Sequence, residues 1–174
     1  DRAELVRLLR YLAASTARLL NVSTVSSELG AARETVSARL ATLESSFLVH
    51  SLPAHRPGEH RTLTAHPKIH AGDTAIAAWA ARLSPDPSAA LYGALVETLV
   101  VNELAAQASW TPGRSLRHWR HTARKLEVDA VVVDQAGDVV PVEVKASRDV
   151  RPNDLAGLRQ FLADVPSCER AVIV

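Results

Sequence analysis

Leu126-Glu127-Val128-Asp129-Ala130-Val131-Val132-Val133, then Asp134-Gln135-Ala136-Gly137-Asp138, then Val139-Val140-Pro141-Val142-Glu143-Val144-Lys145-Ala146, is the stretch whose reading decides the fold. Two valine-rich runs flank a short polar segment. β-branched residues suit pleated, buried strands, and Gly137 suits the left-handed position of a three-residue hairpin loop with a bulge. With Asp134 and Asp138 flanking that loop, the register places Asp129 opposite Glu143 and Glu127 opposite Lys145. All four share one face, because strand side chains alternate. Two carboxylates about 5 Å apart between apolar strands repel, and opposed like charges destabilise a sheet. A divalent cation removes that conflict. Mg²⁺ takes carboxylate oxygens as ligands and keeps waters for chemistry. Lys145 then stands beside the metal, where a neighbouring cation lowers its pKa. From there it orients or deprotonates an attacking water, or steadies charge growing on a phosphate.

Upstream of the hairpin, Leu116 to His121 reads as a strand within the segment Arg114 to Lys125. That segment holds Arg114, Arg117, Arg120, Arg124 and Lys125 with no acid. Such a patch suits a polyanion; an edge strand charged against aggregation is the competing reading. Before it, a helix from about Ser88 to Gln107 carries Gly93, Glu97, Val101 and Leu104 on one face. Glu97 therefore interrupts an apolar stripe, which costs free energy unless a partner or cation compensates it. After the hairpin come a helix, about Asp154 to Ala163, and a strand, Arg170 to Val174. Leu155, Leu158 and Leu162 form the helix face packed on the sheet. The order is helix, three strands, helix, strand.

The first half reads differently. Leu5, Leu8, Leu9 and Leu12 recur at helical spacing and predict a helix over 3–14. Ser23 is positioned to cap a short helix, Thr24 to Leu29, and Gly30 suits a tight turn. A third helix over 32–44 turns Val36, Leu40 and Leu43 inward, with Arg33, Glu34, Ser37 and Arg39 off that stripe. Short helix, glycine turn and longer helix form the helix-turn-helix pattern, whose second helix enters a major groove. Phe47 to Leu52 as a strand, Pro57-Gly58, and a return strand near Arg61-Thr62-Leu63 read as a wing. Arg61 there is placed to neutralise phosphate. A three-helix packing module that never touches DNA is the alternative. His50, His55, His60, His66 and His70 match no metal-ligand spacing and read as solvent-exposed, while Trp79 reads as core.

Leu83-Ser84-Pro85-Asp86-Pro87-Ser88 breaks helices and divides the chain into domains 1–82 and 89–174, with 83–88 as linker. The 174 residues hold 20 Lys+Arg against 19 Asp+Glu, a net charge of +1, and are 47% hydrophobic and 22% charged. That composition excludes a disordered chain and a uniformly basic nucleic-acid coater. Only Lys68, Lys125 and Lys145 of the cations are lysines. The single Cys168 forms no internal disulfide, which fits a reducing cytoplasm. No apolar run spans a bilayer and no G-x-x-x-x-G-K occurs, so neither membrane insertion nor nucleotide hydrolysis is expected. Without an initiator methionine, and ending on Ala171-Val172-Ile173-Val174, the sequence reads as a piece of a longer protein.

Asp129 with Glu143-Val144-Lys145, and Glu97 on the preceding helix, resembles the PD-(D/E)XK nuclease superfamily. That resemblance implies a restriction-endonuclease-like αβββαβ core. It also implies Mg²⁺ (or Mn²⁺) held by Asp129, Glu143 and Glu97, with Lys145 assisting phosphodiester hydrolysis. Over nearly the whole chain, Leu19-Leu20-Asn21, Leu43-Glu44-Ser45-Ser46-Phe47-Leu48, Pro67-Lys68, Asp73-Thr74, Gly93 to Glu97, Trp119-Arg120, Glu127-Val128-Asp129 and Pro141 to Lys145 are similar to a prokaryotic module of unknown function. That module is appended to the C-terminus of AAA-type ATPases. Ala130 departs from the aromatic residue common at its position there. The expected fold is α+β or α/β, a winged helix-turn-helix domain followed by the nuclease-like core. The expected partners are double-stranded DNA, met by Arg33, Ser37, Arg39, Arg61, Arg117 and Arg120, and the chain's own N-terminal ATPase domain. A catalytically silent DNA-binding or regulatory module is the rival expectation.

Overall fold

A computed structural model describes residues 1–56, 66–82, 89–147 and 149–174. Among them are six α-helices and two sheets in a mixed α and β arrangement. The expected linker 83–88, Arg61, and the return strand around it lie outside the described residues. The chain sorts into two compact units. The first comprises Asp1–Ser51 and His66–Thr98; the second takes the excursion beginning at Leu52 and the run Leu99–Val174. The units thus interleave along the chain.

In the first unit, α1 (Arg2–Ala14) starts where the Asp1 side chain accepts the Ala3 N–H. Its apolar stripe buries Leu8 and Leu12 with Val25, Val36, Leu43, Val49 and Ile69. Each such side chain contributes about 1.5–3 kcal/mol on burial. After the two-residue β1 (Arg18–Leu19), α2 (Val22–Leu29) is capped by Asn21, not by Ser23 as expected. Asn21 Oδ1 accepts from Ser23 N at 2.9 Å and Thr24 N at 3.3 Å. The reason is geometric. The capping residue must itself be extended, as Asn21 is, while Ser23 already lies inside the helix. Gly30 ends α2 in the left-handed conformation, φ 62°. α3 (Arg33–Ser45) follows with Val36 and Leu43 inward.

Strands β2 (Val49–Leu52) and β3 (Lys68–Ala71) complete a three-stranded sheet in the order β1-β3-β2. β1 pairs antiparallel with β3, Arg18 against Ile69 and Leu19 against Lys68. α4 (Thr74–Ala80) then packs on α1. Two further expectations fail in this unit. His70 is fully buried rather than exposed, because every residue of β3 faces protein. Trp79 is 53% exposed rather than core, because α4 buries Ala77 instead.

α5 (Ala89–Trp110) contributes its residues up to Thr98 to the first unit and those from Leu99 to the second. The second unit then runs β4 (Ser115–His121), β5 (Leu126–Val133), β6 (Val139–Glu143), α6 (Ala156–Asp164) and β7 (Val172–Ile173). Sheet order is β4-β5-β6-β7, with the first two pairings antiparallel and β6–β7 parallel. One group of apolar residues gathers Trp119, Val128, Val131, Leu158 and Phe161. A second group gathers Leu52, Val101, Leu116, Ala130 and Val142. The hairpin loop forms as its composition predicts. Asp134 and Asp138 close it through Asp134 N to Asp138 O at 3.0 Å, with Gly137 at φ 88°. β5 and β6 pair Ala130 with Val142, Val131 with Pro141, Val132 with Val140 and Val133 with Val139. That is the register read from the loop.

Candidate metal and phosphate site on the second sheet

The site grows from the place where the β5–β6 ladder stops. Its last pair is Ala130 with Val142, one step short of Asp129 and Glu143. On the other side of β5, Arg117 pairs with Val131 while Trp119 pairs with Val128, so Asp129 and Ala130 together oppose His118. This is a β-bulge, a device that re-aims a side chain. Past it, Asp129 Oδ2 accepts the Val144 N–H at 3.0 Å. A buried amide must find an acceptor, and here the carboxylate supplies one beyond the end of the backbone ladder.

β7 holds the other side. Val174 N donates to Glu143 O at 3.0 Å and Lys145 N donates to Val174 O at 2.9 Å. With the backbone extended through Glu143, Val144 and Lys145, side chains two apart meet: Lys145 Nζ donates to Glu143 Oε1 at 2.7 Å. Asp129 and Glu143 are both buried, whereas Lys145 is half-buried. Burial pushes the Lys145 ammonium's pKa down. Its hydrogen bond to Glu143 and the charges of Glu143, Asp129 and Asp154 push it up and prevail, so it stands above its ordinary value. Lys145 is therefore protonated at neutral pH.

Three of the four residues expected to do chemistry, Asp129, Glu143 and Lys145, thus come together. The chain's own lysine and the Val144 amide each answer one oxygen of the two carboxylates. Glu97 belongs to the first unit. In the first unit Lys68 Nζ donates to Glu97 Oε1 at 2.8 Å, with the lysine side chain buried. The expected opposition of Glu127 and Lys145 does not form. Glu127 pairs across β4 with Arg120, whose guanidinium donates to its carboxylate. The bulge explains the difference, because it breaks the regular alternation between Glu127 and Asp129. Among the described residues no group of three or more His, Cys, Asp or Glu side chains is arranged to hold a metal ion.

The residues expected to meet nucleic acid are scattered in their engagements. Arg33 and Ser37 are exposed on α3, while Arg39 bonds to Glu4. Arg117 is half-buried, and after burial its charge helps lower the pKa of His55. Pro53 O accepts from His118 N at 2.8 Å, and His118 O accepts from His55 N at 2.5 Å. The outer edge of β4 is therefore occupied at His118 rather than bare. Sequence reasoning missed Lys68 as the partner of Glu97. The scarcity of lysine was the available signal.

Residues 1–87, half of the 174, match the family model of a domain of unknown function (DUF8612). The chain belongs to the DUF8612 family. Residues 92–174 of this DUF8612 chain match the model of a further domain of unknown function (DUF4143), and that stretch contains Asp129, Glu143 and Lys145. No curated protein and no solved structure matches the chain. No helix among the described residues is long and apolar enough to cross a membrane.

Proposed function

We propose that this chain is a winged-helix module joined to a restriction-endonuclease-like module that cleaves DNA phosphodiesters with Mg²⁺ or Mn²⁺, as the C-terminal part of an AAA-type ATPase. The helix and strand order of the first unit, with its sheet order β1-β3-β2, supports the winged-helix reading. The order α5, β4, β5, β6, α6, β7 supports the nuclease-like one. The observation that carries the proposal is the meeting of Asp129, Glu143 and Lys145 at the bulge, locked by the Asp129 to Val144 and Lys145 to Glu143 hydrogen bonds.

The donor set fits the metal. Two buried carboxylates are hard oxygen ligands, and Mg²⁺ commonly takes only one or two of these, completing its shell with water and phosphate oxygens. Asp129 and Glu143 would hold it, and when bound it supplies charge stabilisation and an activated water. The chain's own contribution is then definite. Lys145 would offer hydrogen bonds and positive charge to a phosphoryl oxygen that gains charge in the transition state. Its hydrogen bond to Glu143 aims the ammonium at the site. The Val144 amide holds Asp129 in place.

The test is nicking of supercoiled plasmid with Mg²⁺ or Mn²⁺, compared with Glu143→Ala and Lys145→Ala. Metal-dependent nicking lost in both variants supports the proposal; equal nicking by all three proteins, or none at high enzyme concentration, ends it. The Lys68–Glu97 pair favours a second reading, because it engages the carboxylate that the nuclease pattern assigns to the metal. In that reading the module binds DNA or the ATPase without cleaving. It predicts salt-sensitive DNA retention that survives Glu143→Ala and falls with Arg33→Ala.

A further inference from the structure

A second candidate binding surface lies in the first unit and shares no residue with Asp129, Glu143 and Lys145. α1 and α4 pack on each other and leave a pocket of about 450 Å³ lined by Arg10, Ala78, Trp79, Ala80 and Arg82. That volume lies in the ~300–1,000 Å³ range of small-molecule sites. Among the described residues the lining contains two guanidinium groups, one indole and no acid. Arg10 Cζ stands 4.7 Å over the centre of the Trp79 ring, so the indole face already holds a cation at the pocket. Arg7, one turn earlier on α1, is exposed and adds to the positive character.

Three features mark this pocket as more than a surface dent. Trp79 leaves half of a large apolar ring in water, although α4 carries alanines at 75, 77, 78 and 80 that would allow other packing. Arg10 covers one face of the indole, and the small Ala78 and Ala80 beside it leave the rest open. Arg82 adopts φ 51°, in the left-handed region where glycine is favoured, with its N–H donated to Trp79 O at 3.1 Å. Glycine would relieve that backbone; arginine keeps a cation beside the ring.

We infer that this pocket binds a nucleobase carrying its phosphate, with the base on Trp79 and the phosphate between Arg10 and Arg82. A simple anion would use the two arginines and leave the part of the indole that Arg10 does not cover in water. A planar group joined to an anion uses all three, and aromatic platforms flanked by arginine are how bases and their phosphates are held without sequence readout. The same chemistry is offered by a free nucleotide and by a nucleotide of a single strand. The site is independent of Asp129, Glu143 and Lys145, so it stands or falls without the cleavage proposal.

The experiment is calorimetric titration of the full 174-residue chain with dAMP in EDTA, beside deoxyadenosine and inorganic phosphate, and anisotropy of a fluorescein-labelled oligo-dT strand. We expect saturable dAMP binding, with deoxyadenosine and phosphate each weaker by about tenfold or more. Trp79→Ala, and Arg10→Gln with Arg82→Gln, should each lower the affinity about tenfold, whereas Trp79→Phe should keep most of it. Strand binding with these dependences but no dAMP binding identifies the strand as the source. Phosphate binding as tight as dAMP, or dAMP and strand affinities that do not change in these variants, overturns the inference. If Trp79→Ala fails to melt cooperatively, the double arginine variant, altered only at exposed side chains, decides.

Discussion

Asp129 reaches across from β5 and takes the Val144 N–H at 3.0 Å, so a side chain replaces the backbone acceptor where the ladder ends. The same residue is thus a structural clamp and a candidate ligand. Removing the carboxylate strands a buried donor, which costs about 1–3 kcal/mol. Asp129→Ala should lower stability by that amount in urea unfolding. Asp129→Asn keeps an acceptor and should lose less. Any metal-dependent cleavage should disappear in both, which separates the two roles.

The Lys145 ammonium has a pKa raised from 10.5 by Glu143, Asp129 and Asp154 despite its burial. A group whose folded pKa lies above its unfolded one contributes stability that is complete below the unfolded value and is lost as pH rises through the folded one. The wild-type chain should therefore lose stability above about pH 10.5, and Lys145→Met should flatten that part of the profile. Thermal melts across the alkaline range measure this. An identical alkaline slope in the variant contradicts it.

Gly157 opens α6 directly against the strand that carries the site. A Cβ there would fall on the Glu127 carbonyl oxygen, a backbone atom that cannot swing aside. Gly157→Ala should push α6 from β5 and cost about 1–3 kcal/mol or more, as overpacking does. Because Glu127 lies two residues from Asp129, the variant should also disturb the bulge. Loss of hydrogen-exchange protection at the Val144 amide, with smaller changes in the first unit, is the expected pattern.

Lys68 and Glu97 form a buried ion pair, with side-chain exposures of 3% and 15%. Breaking such a buried pair by removing one charge costs about 3–5 kcal/mol. Lys68→Met should destabilise the chain on that scale. The Lys68→Met, Glu97→Leu double variant should recover much of the loss, since well-packed apolar replacements of buried pairs are often neutral. A double variant no more stable than Lys68→Met shows that the pair is not the source. Cleavage that survives Glu97→Gln would place this carboxylate outside the chemistry.

The sequence by itself determined what depends on near neighbours. The 134–138 loop set the β5–β6 register, because a hairpin loop of given length and turn type leaves only one pairing. Val36 and Leu43 turn inward by periodicity, and Gly30 stops α2 because a left-handed turn is cheapest for glycine. Glu143 and Lys145 meet because they are two apart on extended backbone. What only the tertiary structure decided involves partners brought from a distance. Lys68 reaches Glu97 across 29 positions of sequence. The bulge at Asp129 arises from the pairing of β5 with β4, so it diverts Glu127 to Arg120 and frees Val144 from the ladder. Trp79 faces outward because α1 took the alanine face of α4. Local pattern specifies which side of an element is apolar; which charge answers which, and which ring is left in water, depends on packing between elements that local sequence does not encode.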